Sequence, residues 1–133
     1  MAPIASVKEP KRLLFVDDEE GIRVTLSAIL QARGFNVTVA ASVQEAIQAI
    51  ENRKFDVLLS DLNIGELGDG FTVVRAIRKV NPRCVAVILT GYPDFETAVR
   101  GIHEKIDDYI TKPADIDSLV ATLQQRLVDQ AEE

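Results

Sequence analysis

The sequence predicts an α/β fold in which a parallel sheet carries helices on both of its faces. Five short apolar runs alternate strictly with five segments whose apolar residues recur at helical spacing. The runs at residues 13–16, 57–59 and 85–89 are continuously apolar, which is typical of strands buried on both faces. Strands and helices in strict alternation favour parallel strands joined by right-handed crossovers.

The first half of the chain contains two strand–helix units. Residues 13–16 form a continuous apolar run that stops at acidic residues, and residues 37–39 form a second short strand. The first helix is predicted to end at Gly34, a residue type that commonly follows a helix. Ser42 and Glu45 have capping-box spacing at the start of the second helix. The apolar stripes of these helices contain Ile22, Leu26, Ile29, Leu30, Val43, Ala46, Ile47 and Ile50.

The second half contains three more units. Strands are predicted over residues 57–60, 85–89 and 109–110, because each of these runs is apolar. Asp94 and Asp115 are placed to cap the fourth and fifth helices. The residues predicted to face inward are Phe71, Val74 and Ile77 on the third helix, Phe95, Ala98, Val99 and Ile102 on the fourth, and Ile116, Leu119, Val120, Leu123 and Leu127 on the fifth.

Composition limits the possible functions. The chain has 133 residues, 47% of them hydrophobic, which is enough for one compact domain with its own core. No apolar run is long enough to span a membrane, and residues 1–10 lack the apolar core of a signal peptide. A formal net charge of −6 argues against nucleic-acid binding. A single cysteine, Cys84, excludes a disulfide framework and favours a reducing, cytoplasmic setting.

Four of the five predicted strands end in polar residues capable of chemistry. Asp17 and Asp18 follow the first strand, Asp61 the third, Thr90 the fourth and Lys112 the fifth. Alone, each is explained as well by a helix cap, a turn hydroxyl or a solvated amine. Together they are expected to meet at the carboxyl edge of the sheet, where open α/β folds bind ligands.

The three acids predict a metal centre and a nucleophile. Carboxylates this close repel one another, and a hard divalent cation, Mg²⁺ or Mn²⁺, removes the repulsion. We expect Asp18 and Asp61 to bind the metal directly and Asp17 to bind it through water, with the backbone carbonyl of Asn63 as a further ligand. Asp61 is then placed to attack phosphorus and form an aspartyl phosphate. The metal and Lys112 would supply the positive charge that phosphoryl transfer needs.

A set of short motifs resembles the receiver domain of bacterial two-component response regulators. The motifs are Val16-Asp17-Asp18-Glu19, Asp61-Leu62-Asn63, Thr90-Gly91-Tyr92 and Asp108-Tyr109-Ile110-Thr111-Lys112-Pro113. The resemblance implies a flavodoxin-like, doubly wound five-stranded parallel sheet of order 2-1-3-4-5, with five helices in three α/β/α layers. We expect a receiver domain over residues 11–128, a flexible leader over residues 1–10, and a tail or the start of a linker over residues 129–133.

The resemblance also implies a signalling mechanism. A histidine kinase or phosphotransfer protein would phosphorylate Asp61, and a cis peptide between Lys112 and Pro113 would aim the lysine amine at the phosphate. Thr90 would hydrogen-bond the phosphate and move toward it while Tyr109 rotates inward. This movement re-shapes the surface of the fourth helix, fifth strand and fifth helix, through which such domains also dimerise. The domain would be no enzyme beyond promoting its own phosphorylation and dephosphorylation.

Two further residues and two departures from the family pattern bear on this mechanism. Asn63 and Tyr92 occupy positions that tune the lifetime of the phosphate, and we predict that the Tyr92 ring shields it from water. The family usually has Met-Pro three and four residues after the acceptor and a glycine eight after it. Here Ile64-Gly65 replaces the pair and Gly70 lies nine residues on, so we expect a longer, more flexible loop. Lys105-Ile106 replaces a usual Gly-Ala, so the turn before the fifth strand is expected to differ.

Three other readings stay open. A flavodoxin-like fold can bind FMN, although acids follow the first strand where FMN needs a hydroxyl- and glycine-rich loop. Phosphohydrolases of the haloacid dehalogenase family form an aspartyl phosphate, but they need a second aspartate where this chain has Asn63. A non-phosphorylatable receiver that only docks partners is the third, and the presence of the acids, Thr90 and Lys112 argues against it.

Overall fold

The computed structural model describes residues 10–132, in which five strands alternate with five helices. The strands are β1 (Arg12–Val16), β2 (Asn36–Ala40), β3 (Val57–Asp61), β4 (Val85–Thr90) and β5 (Asp108–Thr111). The helices are α1 (Glu20–Ala32), α2 (Val43–Asn52), α3 (Asp69–Val80), α4 (Phe95–His103) and α5 (Ile116–Ala131). Residues 1–9, nearly all of the predicted leader, lie outside the described part of the chain, as does residue 133.

The strands form one parallel sheet in the order β2-β1-β3-β4-β5, which confirms the predicted fold. The central strands β1, β3 and β4 are almost wholly buried, whereas the edge strands β2 and β5 are only partly covered. β2 lies on one side of β1 and β3 lies on the other, so the strand order reverses direction at β1. The resulting crevice at the carboxyl ends of β1 and β3 is where ligands bind in such sheets.

Adjacent residues of each central strand supply two separate core layers. In β1, Leu14 packs in a cluster with side chains of α2 and α3, and Phe15 packs in a cluster with side chains of α1 and α5. This follows from the alternation of side chains across a strand. In α4, Gly101 faces Phe71 and Ile106, so α4 lies on the same side as α3. The predicted three-layer arrangement is therefore present.

Side-chain caps begin three of the helices where the sequence predicts them. Ser42 accepts the N–H of Glu45 at 3.1 Å in α2, which is half of the predicted capping box. Asp94 and Asp115 accept N–H groups three residues further on, at 2.8 and 2.9 Å, in α4 and α5. None of the helices in residues 10–132 has both the length and the apolar character to cross a membrane.

The predicted inward face of α4 is wrong in part. Phe95 is 83% exposed and Ile102 is 76% exposed, and Gly101 is the buried residue of this helix. A side chain at Gly101 would meet Ile106 at 2.8 Å. The helix therefore packs closely through its small residues, including the partly buried Ala98, and turns its large apolar residues outward.

Candidate functional site

The polar residues at the strand ends meet at the carboxyl edge of the sheet. Asp61 is the last residue of β3 and Thr90 the last of β4, while Asp17, Asp18 and Lys112 directly follow β1 and β5. The carboxylates of Asp17, Asp18 and Asp61 each offer an oxygen, and these oxygens lie within 4.8 Å of one another. Asp17 is fully buried, Asp61 is partly buried and Asp18 is exposed. The acids therefore form one cluster that opens to solvent at Asp18.

Lys112 brings a positive charge into this cluster. Its Nζ lies 3.0 Å from Asp17 Oδ2 and 3.3 Å from Asp61 Oδ2. The Lys112–Pro113 peptide bond is cis, as the resemblance implied. Burial lowers the pKa of Lys112, but its hydrogen bond to Asp17 and the negative charges of Asp61 and Asp17 outweigh burial and raise it. The lysine is therefore protonated at neutral pH.

Asp17 is held by hydrogen bonds on every side. Its Oδ1 accepts the N–H of Glu19 at 2.9 Å, and its Oδ2 accepts from Lys112. Its backbone N–H donates to the carbonyl of Ala40 at 3.1 Å, and its carbonyl accepts from Arg23 Nη1 at 2.8 Å. Both carboxylate oxygens of Asp17 therefore already accept hydrogen bonds, and its contact with a metal through water stays a prediction.

Asp61 remains incompletely neutralised. Burial is the largest cause that raises its pKa; Lys112 opposes this, and the charges of Asp17 and Asp18 add to it. The cluster holds three carboxylates and one ammonium group. The atoms that it offers to a metal ion are all oxygens. That donor set suits a hard divalent cation.

The loop after β3 is held in a closed shape by hydrogen bonds. Asn63 Oδ1 accepts the N–H of Gly68 at 2.9 Å, and the carbonyl of Leu62 accepts the N–H of Gly70 at 2.8 Å. Gly65 and Gly68 have φ of 96° and 81°, which glycine adopts at little cost. These hydrogen bonds tie the loop to itself and to the start of α3, and its greater length and flexibility relative to the family stay a prediction.

Gly70 allows α3 to approach the end of β3. A β-carbon there would lie 2.5 Å from the backbone oxygen of Asp61 and 3.0 Å from Leu62 Cα. Although Gly70 is nine residues from Asp61 in sequence, it therefore packs directly against the backbone of Asp61.

The two predicted switch residues bond to the segment that follows β4. Thr90 is buried, and its Oγ1 accepts the N–H of Tyr92 at 3.1 Å. The hydroxyl of Tyr109 lies 2.7 Å from Thr97 Oγ1 in the first turn of α4. The Tyr92 side chain is 84% exposed, so its shielding role stays a prediction.

Sequence reasoning missed Thr97 and Arg23. Thr97 stands three residues after its cap Asp94, which signals a helix start but not a contact with β5. Nothing in the sequence pattern marks Arg23 as a donor to the backbone of Asp17.

The family model of the response regulator receiver domain matches residues 13–124. The chain belongs to this family. The sequence is 36% identical over 115 residues to the transcriptional regulatory protein ZraR of Escherichia coli O157:H7, covering 86% of this chain and 26% of that protein. It is 38% identical over 122 residues to the acid tolerance regulatory protein ActR of Sinorhizobium medicae strain WSM419, covering 92% of this chain and 62% of that protein. The chain thus spans less than two thirds of these relatives.

Two solved structures share both fold and sequence with this receiver domain. A response regulator receiver domain protein (CheY-like) from Methanospirillum hungatei JF-1 superposes with a TM-score of 0.86 at 28% identity, covering 92% of this chain and 98% of that one. A response regulator from Burkholderia pseudomallei with a phosphorylated aspartic acid, a calcium ion and citrate gives 0.80 at 32% identity, covering 92% and 72%. The chain is a receiver domain of the two-component response regulator type, and its acidic cluster fits a phosphoacceptor role with a divalent metal.

Proposed function

We propose that Asp61 is the phosphoacceptor of this receiver domain. The observation that carries the proposal is the position of its carboxylate, at the end of a buried strand and 3.3 Å from Lys112 Nζ. An Asp61 oxygen forms the O–P bond as the P–N bond of a phosphohistidine breaks, and the leaving nitrogen takes up a proton. With acetyl phosphate as donor, acetate leaves instead.

The neighbouring side chains neutralise and orient the transferred group. Lys112 is protonated and close enough to exchange its contact with the Asp61 oxygen for one with a phosphoryl oxygen. The Thr90 hydroxyl donates a hydrogen bond to the same group once it leaves the Tyr92 N–H. Preorganised charge and hydrogen bonds of this kind supply most of the catalysis in phosphoryl transfer.

Mg²⁺ is the metal that we assign to the cluster, with Mn²⁺ as a substitute. Asp18 and Asp61 would hold it directly and Asp17 through water, with the backbone carbonyl of Asn63 as a further ligand. When bound, the metal neutralises charge on the phosphoryl oxygens. Three converging carboxylate oxygens and the raised pKa of Asp61 support this assignment.

The partners and output follow from the same role. The donor is a sensor histidine kinase or phosphotransfer protein, and an apolar groove of about 630 Å³ between α1 and the β5–α5 loop offers it a surface beside Lys112. Phosphorylation shifts Thr90 and Tyr109 and re-shapes the α4-β5-α5 surface, which is also the proposed homodimer interface. Asn63 and Tyr92 set the lifetime of the phosphate.

The remaining parts of the proposal concern the limits of the domain. Residues 11–128 act as the receiver unit, residues 1–10 precede it as a leader, and residues 129–133, of which 129–131 continue α5, are a tail or the start of a linker. The domain promotes only its own phosphorylation and dephosphorylation, contacts no nucleic acid itself, and works in the cytoplasm with its kinase.

Intact-mass measurement after incubation with acetyl phosphate tests the phosphoacceptor. We expect one phosphoryl adduct on the wild type that requires Mg²⁺, and none on Asp61→Asn. Asp129→Asn makes the same change of charge on α5 and should be labelled like the wild type. Labelling of Asp61→Asn would place the acceptor elsewhere.

The same assay separates the alternatives. No adduct on the wild type, with no binding of Mg²⁺ by calorimetry, would favour a receiver that only docks partners. Sustained release of phosphate from a phosphate ester would favour a phosphohydrolase.

A further inference from the structure

A chain of hydrogen bonds joins β5 to the first turn of α4. The Tyr109 hydroxyl lies 2.7 Å from Thr97 Oγ1. Thr97 Oγ1 also lies 3.2 Å from Asp94 Oδ1 and 3.3 Å from the Asp94 carbonyl oxygen. Both Asp94 atoms can only accept, so the Thr97 hydroxyl proton goes to Asp94 and the Tyr109 hydroxyl donates to Thr97. Such a chain strengthens each of its bonds.

This chain of bonds fixes Tyr109 in its present orientation. The Tyr109 ring packs against the core layer on the α3 side, and β5 pairs Tyr109 with Ile88 of β4. Thr90 lies two residues further along β4 and bonds to Tyr92. Within residues 10–132 neither switch hydroxyl bonds to the other or to Asp61. Both are held by the segment that leads into α4.

The first turn of α4 is largely exposed apart from Thr97 and Ala98, which are partly buried. Phe95 is 83% exposed, whereas the carboxyl-terminal half is anchored by the buried Gly101 and by Arg100, whose guanidinium lies 4.9 Å from the centre of the Phe71 ring. Segments with few buried contacts open most easily. The Thr97–Tyr109 bond therefore ties the exposed first turn of α4 to β5.

We propose that Thr97 is a positioning residue for the switch. Its hydroxyl holds Tyr109 in the orientation found when the Asp61 carboxylate is unphosphorylated and paired with Lys112. It therefore opposes the rearrangement that a phosphoryl group drives. The inference rests on the proposed phosphoacceptor role of Asp61. Loss of the bond makes the present arrangement less stable, so the equilibrium shifts toward the phosphoryl-bound arrangement. A ligand that prefers that arrangement then binds more tightly.

Affinity for trifluoroberyllate, which imitates a phosphoryl group on a carboxylate, tests the proposal. Titrations with Mg²⁺ present would compare the wild type with Thr97→Val, which keeps the shape but loses the hydroxyl. We expect Thr97→Val to bind about three- to tenfold more tightly, the range for loss of one neutral hydrogen bond. Thr97→Ser keeps the hydroxyl and should stay within about twofold of the wild type.

A double-mutant cycle shows whether Thr97 acts through Tyr109. Tyr109→Phe should give the same gain as Thr97→Val, and adding Thr97→Val to Tyr109→Phe should give no further gain. A gain that persists in the Tyr109→Phe background would assign the effect to Asp94 and overturn the proposal.

The wild type separates this inference from the proposed function. If it binds trifluoroberyllate but Thr97→Val binds equally well or more weakly, the positioning role is wrong and the phosphoacceptor role stands. If the wild type does not bind, both fail. Urea unfolding of each variant confirms that it is folded at the temperature of the titration.

Discussion

Lys112 Nζ lies 3.3 Å from an Asp61 carboxylate oxygen and shares its charge with Asp17 at 3.0 Å. One ammonium group thus serves two carboxylates, with Asp18 as a third close by. Burial raises the pKa of Asp61 more than Lys112 lowers it, and the neighbouring acids add to the rise. The folded protein therefore holds more negative charge at this edge than its own side chains neutralise.

Asp61→Asn should stabilise the metal-free protein at pH 7. A carboxyl group whose pKa is raised on folding holds its proton more tightly in the folded state, so ionising it costs stability. Asparagine has a similar size and does not ionise. In EDTA at pH 7 we expect the melting temperature to rise by about 2–5 °C, the shift that roughly 1 kcal/mol produces in a domain of this size.

The pH dependence checks the cause. The advantage of Asp61→Asn should shrink as the pH falls through the folded-state pKa of Asp61 and vanish below the unfolded value of 3.8, where the wild-type carboxyl group is protonated in both states. A variant less stable than the wild type at pH 7 would mean that the ion pair with Lys112 outweighs burial and repulsion.

Gly70→Ala should destabilise the domain. The new β-carbon would lie 2.5 Å from the backbone oxygen of Asp61, so either α3 or the end of β3 must move. Overpacking against the backbone costs about 1–3 kcal/mol, which exceeds the usual gain of alanine over glycine in a helix. We expect the free energy of unfolding in urea to fall by about 2 kcal/mol, and labelling by acetyl phosphate to slow because Asp61 is displaced.

Gly21→Ala is the matched control for Gly70→Ala. Gly21 also lies in a helix, and a β-carbon there meets nothing within 4 Å. Its substitution should stabilise by about 0.5–1 kcal/mol. If Gly70→Ala and Gly21→Ala stabilise the domain alike, α3 does not approach the backbone of Asp61 closely at Gly70.

Sequence patterns predicted the sheet and its acidic edge because both depend on local features. A continuous apolar run such as Leu13–Val16 indicates a buried strand, and the geometry of a parallel sheet then brings strand-end residues together. The prediction of the inward face of α4 was wrong because helical periodicity places the apolar residues inward. Packing at Gly101 depends instead on how closely a helix can approach its neighbours. The Thr97–Tyr109 bond joins two elements, so no local pattern marks it.

Lys105→Gly should stabilise the turn before β5. Lys105 has φ of 60°, and it follows α4 where the N–H of Ile106 donates to the carbonyl of Gly101 at 3.2 Å. Glycine is favoured at this position of a helix end. The left-handed conformation costs a lysine about 1–2 kcal/mol, a cost that glycine avoids. Glycine also gives the unfolded chain more conformational freedom, which lowers stability by about 0.4–1 kcal/mol.

We therefore expect a net gain of about 0.5–1 kcal/mol in urea unfolding of Lys105→Gly. Lys105→Ala removes the exposed side chain but keeps the β-carbon, so it should leave stability unchanged. Equal gains for the two variants would trace the effect to the lysine side chain rather than to the backbone.

Asn63→Ala should weaken Mg²⁺ binding although the substitution keeps the backbone carbonyl. The Asn63 side chain accepts the N–H of Gly68 at 2.9 Å and so closes the loop that contains this carbonyl, which we propose as a metal ligand. Without that bond the loop samples more conformations, and the fraction ready to bind falls. Calorimetric titration with Mg²⁺ should show about three- to tenfold weaker binding, as for one lost hydrogen bond.

Leu67→Ala, in the same loop with a side chain 88% exposed, should bind like the wild type. Equal affinity of Asn63→Ala and Leu67→Ala would mean that loop closure does not position the carbonyl.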